Sequence, residues 1–129
     1  MNVPELMAQY DNCIANAHDY RGLGRDSISV YEQVKRVIAR LDDPVLLTNV
    51  NRSLFDRLLK EHITEICVDI ARHDDRVAID SLIEYGYLNE KNLEEVIQAV
   101  GRLQDAAMTA YLLEVKRRRF NRRIFDFDL

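Results

Sequence analysis

A chain of 129 residues, 47% hydrophobic and 31% charged, has the balance of one ordinary globular domain, able to bury about two-thirds of the surface its unfolded form exposes. Its low Gly and Pro content argues against long linkers, and no apolar run reaches the ~20 residues that a membrane helix needs. The net charge of −4 hides an asymmetry: Lys116, Arg117, Arg118, Arg119, Arg122 and Arg123 place six cations in eight residues, leaving 12 Lys and Arg against 22 Asp and Glu elsewhere.

The opening residues, MNVPELMAQYDN, have neither a basic n-region nor an apolar h-region, so no signal peptide is expected and the chain reads as cytoplasmic. Leu6, Tyr10, Cys13, Ile14 and Ala17 recur at helical spacing, with Pro4 suited to the first turn. Cys13 and Cys67 both fall among apolar-periodic residues and read as small core residues in a reducing compartment. The segment DYRGLGRDS breaks the pattern, since each glycine would cost about 1 kcal/mol inside a helix. Asp26 or Ser27 then caps a second helix with Ile28, Tyr31, Val34, Ile38 and Leu41 on one side.

Asp43-Pro44 is a cap followed by a first-turn residue, so a short helix is expected from there to about Asn51. Ser53 reads as the next cap, opening one continuous stripe through Leu54, Phe55, Leu58, Leu59, His62, Ile63, Ile66, Cys67 and Ile70. Asp74 or Asp75 caps a helix bearing Val77, Ile79, Leu82 and Ile83; Gly86 closes it, with Leu88 packing back beneath. Asn89 caps the next helix (Leu93, Val96, Ile97, Val100, Leu103), and Asp105 leads into the last (Met108, Tyr111, Leu112, Val115). No segment reads as a strand.

One phrase recurs: IARLDDPVLL at 38–47, IARHDDRVAI at 70–79 and, more weakly, VGRLQDAAMT at 100–109. Each copy ends a helix with a small residue and an arginine, turns tightly, and starts another helix at Asp43, Asp75 or Asp105. Ala39, Ala71 and Gly101 are small where two antiparallel helices would approach closely. Spacings of 32 and 30 residues match the period of stacked helical hairpins. Within that class, IARHDDRVAIDSLIEYG at 70–86 and VGRLQDAAMTAYLLE at 100–114 resemble ankyrin-like helical repeat proteins of bacterial type, over about 34–120. The Thr-Pro-Leu-His start and the glycine-rich hairpin of ankyrin repeats are both missing. The resemblance therefore implies ankyrin-like helix pairs without projecting β-hairpins. The expected architecture is all-α: stacked antiparallel helical hairpins in one domain over 1–120, with an N-terminal capping helix and a C-terminal tail at 121–129.

Candidate chemistry is sparse. His18, His62 and His73 form no close pair with cysteine on a helical face, so no metal site is expected. The Asp42-Asp43 and Asp74-Asp75 pairs sit where caps are needed, and no phosphate loop or nucleophile motif occurs. No cofactor and no catalysis are expected. Tyr85 and Tyr87, flanking Gly86 between hairpins, are candidate partner-binding residues.

The basic cluster admits three readings. It is a solvated helix end, or it docks on acidic surface in the same molecule or a second copy, or it is a phosphate-binding patch for nucleic acid. In the docking reading, Phe120, Ile124, Phe125 and Phe127 are apolar anchors. The reading adopted is a non-catalytic module for protein–protein interaction, implied also by the resemblance. The alternatives are a small nucleic-acid-associated regulatory protein using 116–123 and a self-assembling homodimer bridged by its tail.

Overall fold

The computed structural model describes residues 2–15 and 30–120. These form seven α-helices: α1 (Val3–Ala15), α2 (Val30–Asp42), α3 (Asn49–Glu61), α4 (Ile63–Arg72), α5 (Arg76–Glu84), α6 (Leu93–Gly101) and α7 (Ala106–Val115). A π-helical turn, Lys116–Phe120, continues α7. No strand occurs among the described residues, so the chain is all-α. Ala17, His18, Asp26, Ser27 and Ile28 lie outside them. The chain divides between His62 and Ile63 into two compact units.

In the first unit, Asn2 starts α1 by accepting the Glu5 N–H at 2.9 Å. The expected α1 stripe is only partly a core stripe. Ile14 is buried, but Leu6, Tyr10 and Cys13 are exposed. Polar contacts instead bind α1 to its neighbours. Asp11, 2% exposed, receives Arg40 of α2, and Asn51 of α3 donates Nδ2–H to Asn12 Oδ1 at 2.7 Å. Val34, Val37 and Ile38 of α2, with Phe55 and Leu59 of α3, form the apolar core here. Each such side chain stabilises the fold by about 1.5–3 kcal/mol.

The helix expected from Asp43 does not form. Arg40, held by Asp11, donates Nη1–H to the Asp43 carbonyl at 2.9 Å and Nη2–H to the Val45 carbonyl at 3.0 Å. The Asp43 carbonyl would otherwise accept the first helical bond, from Leu47 N–H; that N–H turns to Pro44 O instead. Leu46 sits at φ 67° in this turn, and Thr48 rather than Ser53 caps α3, accepting the Asn51 N–H at 3.1 Å. A bulky side chain in this left-handed region carries a strain of about 1–2 kcal/mol. The expected single helix through Ile70 is also two. His62 leaves helical geometry at φ −121°, ψ 24°, where His62-Ile63-Thr64 puts three residues of low helix propensity in a row.

In the second unit α4 packs against α5 and α6, and α6 against α7. Ile66, Cys67, Ile70, Ile79, Leu82, Val96, Val100, Met108 and Leu112 are buried completely or nearly so. The two corners here share one geometry. Asp74 (φ 51°) and Gln104 (φ 59°) take the left-handed turn; Asp75 and Asp105 then accept the Ala78 and Met108 N–H groups, each at 3.1 Å. Their carbonyls accept the next helical bonds, from Ile79 and Thr109. Of the three small corner residues only Ala71 is buried; Ala39 is exposed, and a Cβ on Gly101 would meet nothing within 4 Å. Close approach is therefore not what selects a small residue at 39 or 101.

Gly86, at φ 84°, ends α5 with the Tyr87 and Leu88 N–H groups both donating to Leu82 O, and Leu88 is fully buried. Asn89 opens the turn that leads into α6: its Oδ1 accepts the Lys91 N–H at 3.0 Å and its carbonyl the Leu93 N–H at 2.9 Å, while Asn92, directly before the helix, makes no side-chain cap bond. The Asn89 N–H donates to Asn92 Oδ1 at 2.9 Å and its Nδ2 to Gly86 O, while Asn92 Nδ2 donates to Tyr87 O at 2.7 Å. The two asparagines brace the Tyr85–Asn92 loop, and α6 begins at Leu93.

Candidate functional site

The C-cap of α5 and the loop after it carry the first candidate pair. Tyr85 is 41% exposed and Tyr87 half-buried, with ring centroids 6.4 Å apart and planes tilted by 48°. Because Gly86 reverses the chain between them, both rings gather at one end of α5. The loop carbonyl of Tyr87 is fixed by Asn92, which gives this turn a defined shape.

The basic residues leave α7 in the π-helical turn, which spreads them over three helices. Lys116 Nζ meets Glu94 of α6 at 2.8 Å. Arg117 and Arg118 both donate to Glu114 of α7, at 2.6 and 2.8 Å. Arg119 reaches Glu84 of α5 at 2.6 Å. Glu84 directly precedes Tyr85, so the structure brings Arg119 and the tyrosine turn to the same end of α5. Arg122 and Arg123, with Ile124, Phe125 and Phe127, lie outside the described residues; Phe120 is half-buried.

The electrostatics follow from these pairs. Hydrogen bonds from Arg117 and Arg118 hold the Glu114 carboxyl down at about 2. Glu114 in turn raises Arg117 above its usual value. Between α5 and α7, Tyr111 donates its hydroxyl to Asp80, and the Arg76 guanidinium lies 5.1 Å from the Tyr111 ring centroid. Burial first, then the bond to Asp80, pushes the Tyr111 phenol up to about 12. Val77 and Leu113 are the exposed large aliphatic residues of these two helices, at 75% and 50%.

Sequence reasoning missed Glu84, Glu94, Tyr111, Asp80 and Arg76 as parts of this surface. The pairing of Glu114 with Arg117 and Arg118 was legible, at three and four residues apart along one helix. Glu94–Lys116 and Glu84–Arg119 span 22 and 35 residues and have no local signal.

Ser81, His73 and Asp75 are each engaged close by in the chain. Ser81 donates to the Val77 carbonyl of its own helix, and His73 Nδ1 lies 2.9 Å from Asp69 O. Asp75 is occupied as a cap. Burial drives the Cys67 thiol up to about 12, which makes it a poor nucleophile. Among the described residues no group of three or more His, Cys, Asp or Glu is placed to hold a metal, and no helix is long and apolar enough to cross a membrane.

Compared with protein-family models, curated proteins and solved structures, the chain matches none.

Proposed function

We propose that the protein is a non-catalytic protein-binding module built on ankyrin-like helix pairs, and that it engages its partner at the Tyr85–Tyr87 turn beside Arg119. The observation that carries the reading is the Arg119–Glu84 pair, which joins an aromatic turn to a cation whose charge is already balanced. Aromatic side chains and arginine are the residues that dominate binding energy at protein interfaces. The repeat element of the reading is supported by the two corners at Asp74-Asp75 and Gln104-Asp105, alike in backbone and in cap and thirty residues apart.

The nucleic-acid alternative fares worse against the same contacts. A phosphate-binding patch gains its affinity from cations that release counterions on binding. Lys116, Arg117, Arg118 and Arg119 would first have to give up Glu94, Glu114 and Glu84.

The test is affinity capture from lysate of the source cells, with and without nuclease, using full-length protein and the variants Tyr85→Ala, Tyr87→Ala and Arg122→Ala/Arg123→Ala. A protein captured with or without nuclease, retained by the arginine variant and lost by either tyrosine variant, supports the reading. Capture of nucleic acid, lost with Arg122 and Arg123 and weakened by salt, refutes it.

A further inference from the structure

The first unit carries most of the exposed large apolar side chains among the described residues: Val3, Leu6, Tyr10, Val45, Leu46 and Val50, six of nine. Five of them, all but Val50, form two features of opposite shape. One is a groove between α1 and α2, about 280 Å³ and open to solvent, lined by Val3, Leu6, Met7, Tyr10 and Ile14 together with Asp11 and Arg40. The other is a projection. The turn after α2 leaves Val45 and Leu46 at 63% and 56% exposure, with Leu46 in the left-handed region.

A single side chain joins the two. Arg40 lines the groove, bonds Asp11 of the same lining through Nε and Nη2, and bonds the carbonyls of Asp43 and Val45 in the projection. The projection is thus fixed at the groove, in a conformation that a leucine does not adopt by preference. Large apolar side chains left exposed in a group mark an interaction site.

We infer that this face is a two-fold interface between copies of the chain, each copy inserting Val45 and Leu46 into the α1–α2 groove of the other. Three features single out a second copy as the occupant. The unit offers both halves of the contact, so a two-fold exchange covers projection and groove together, whereas an unrelated partner would have to supply a pocket and a projection of its own. The groove falls just short of the roughly 300–1,000 Å³ of small-molecule sites, a size that suits a pair of aliphatic side chains. Charge also matches: Arg36 lines the groove, 4.2 Å from the Tyr10 ring centroid, and exposed Asp43 lies two residues before Val45, so each copy brings a carboxylate beside its projection and a guanidinium beside its groove.

Sedimentation velocity on the full chain over a concentration series tests this, with Leu46→Gly and Leu6→Gln alongside. Glycine is at ease at positive φ, so Leu46→Gly removes the inserted side chain while relieving the backbone, and circular dichroism checks that it folds. The expected result is a monomer–dimer equilibrium in the unaltered protein, with each variant raising the dimer Kd at least about tenfold, or ~1.4 kcal/mol. A monomer at every concentration overturns the inference and leaves the face to another partner. A dimer untouched by both variants overturns it as well and moves self-association elsewhere on the chain.

Discussion

Replacing Asp11 with alanine removes the acidic half of the pair that joins α1 to α2. Three contacts of 3.0–3.2 Å tie its carboxylate to the Arg40 guanidinium, and the two side chains are only 3% and 13% exposed. Breaking a buried pair from one side costs about 3–5 kcal/mol, because the remaining charge is left without compensation. Arg40 keeps the carbonyls of Asp43 and Val45 as acceptors and retains some solvent, which sets the expectation at the lower end, about 3 kcal/mol. Urea unfolding followed by far-UV circular dichroism, at a protein concentration low enough to suppress self-association, measures it. The double variant Asp11→Leu/Arg40→Met is the companion, since an apolar pair of similar size leaves no stranded charge. It should lose clearly less than the single variant, because the two turn carbonyls it frees are exposed and rehydrate. A loss below about 1 kcal/mol for Asp11→Ala, the range of surface ion pairs, would refute this account, as would a double variant no better than the single one.

The caps give a sharper comparison within one recurring phrase: Asp75→Ala and Asp105→Ala should each cost about 1 kcal/mol. Asp43→Ala, whose side chain caps nothing, should stay within about 0.5 kcal/mol; equal losses at all three would contradict the turn described at 43–48. A thiol reagent should modify exposed Cys13 in the native protein and reach buried Cys67 only on unfolding, so two fast-reacting thiols would place Cys67 wrongly. Glu114 titrates at about 2, below its ordinary 4.5, so its contribution to stability is fully present above about 4.5 and lost as pH falls toward 2. The stability gap between the unaltered protein and Glu114→Gln should therefore hold steady above that window and close within it; a gap that widens on acidification would reverse the assignment.

Much of the second unit could be read from the sequence because its determinants are local. Asp75 and Asp105 cap helices three residues ahead, and Gly86 meets a requirement for positive φ set within five residues. The first copy of the phrase looks the same on paper yet folds differently, and its arginine is held by a residue 29 positions away. Asp11 holds Arg40, and Arg40 bonds the Asp43 and Val45 carbonyls of the turn that stands in place of the helix expected from Asp43. Periodicity likewise carried the stripe from Leu54 to Ile70 across His62, since both halves keep the same spacing and no glycine or proline marks the break. Leu6, Tyr10 and Cys13 fit a helical stripe as well as any core residues do, and spacing alone cannot distinguish a face that is covered from one left open. At the candidate site, the tyrosine turn and the basic run were each visible in the sequence, and their meeting through Glu84 was not.

That meeting changes what the basic run means. Along the chain, six cations in eight residues read as a concentrated positive charge on an acidic protein. In space the first four face three carboxylates from three different helices, leaving about one unit of unbalanced charge among them. Each pair is exposed and individually worth little, about 0–1 kcal/mol, so the pairs matter less as stabilisers than as a constraint on ligands. A polyanion would have to compete with carboxylates already within 3 Å of the cations it needs, and would meet Glu84, Glu94 and Glu114 as repulsive neighbours. A protein surface of mixed charge faces no such penalty. It can exchange one carboxylate partner for another while Tyr85 and Tyr87 supply apolar contact area at small entropic cost, and that asymmetry favours a protein over a nucleic acid at this end of α5.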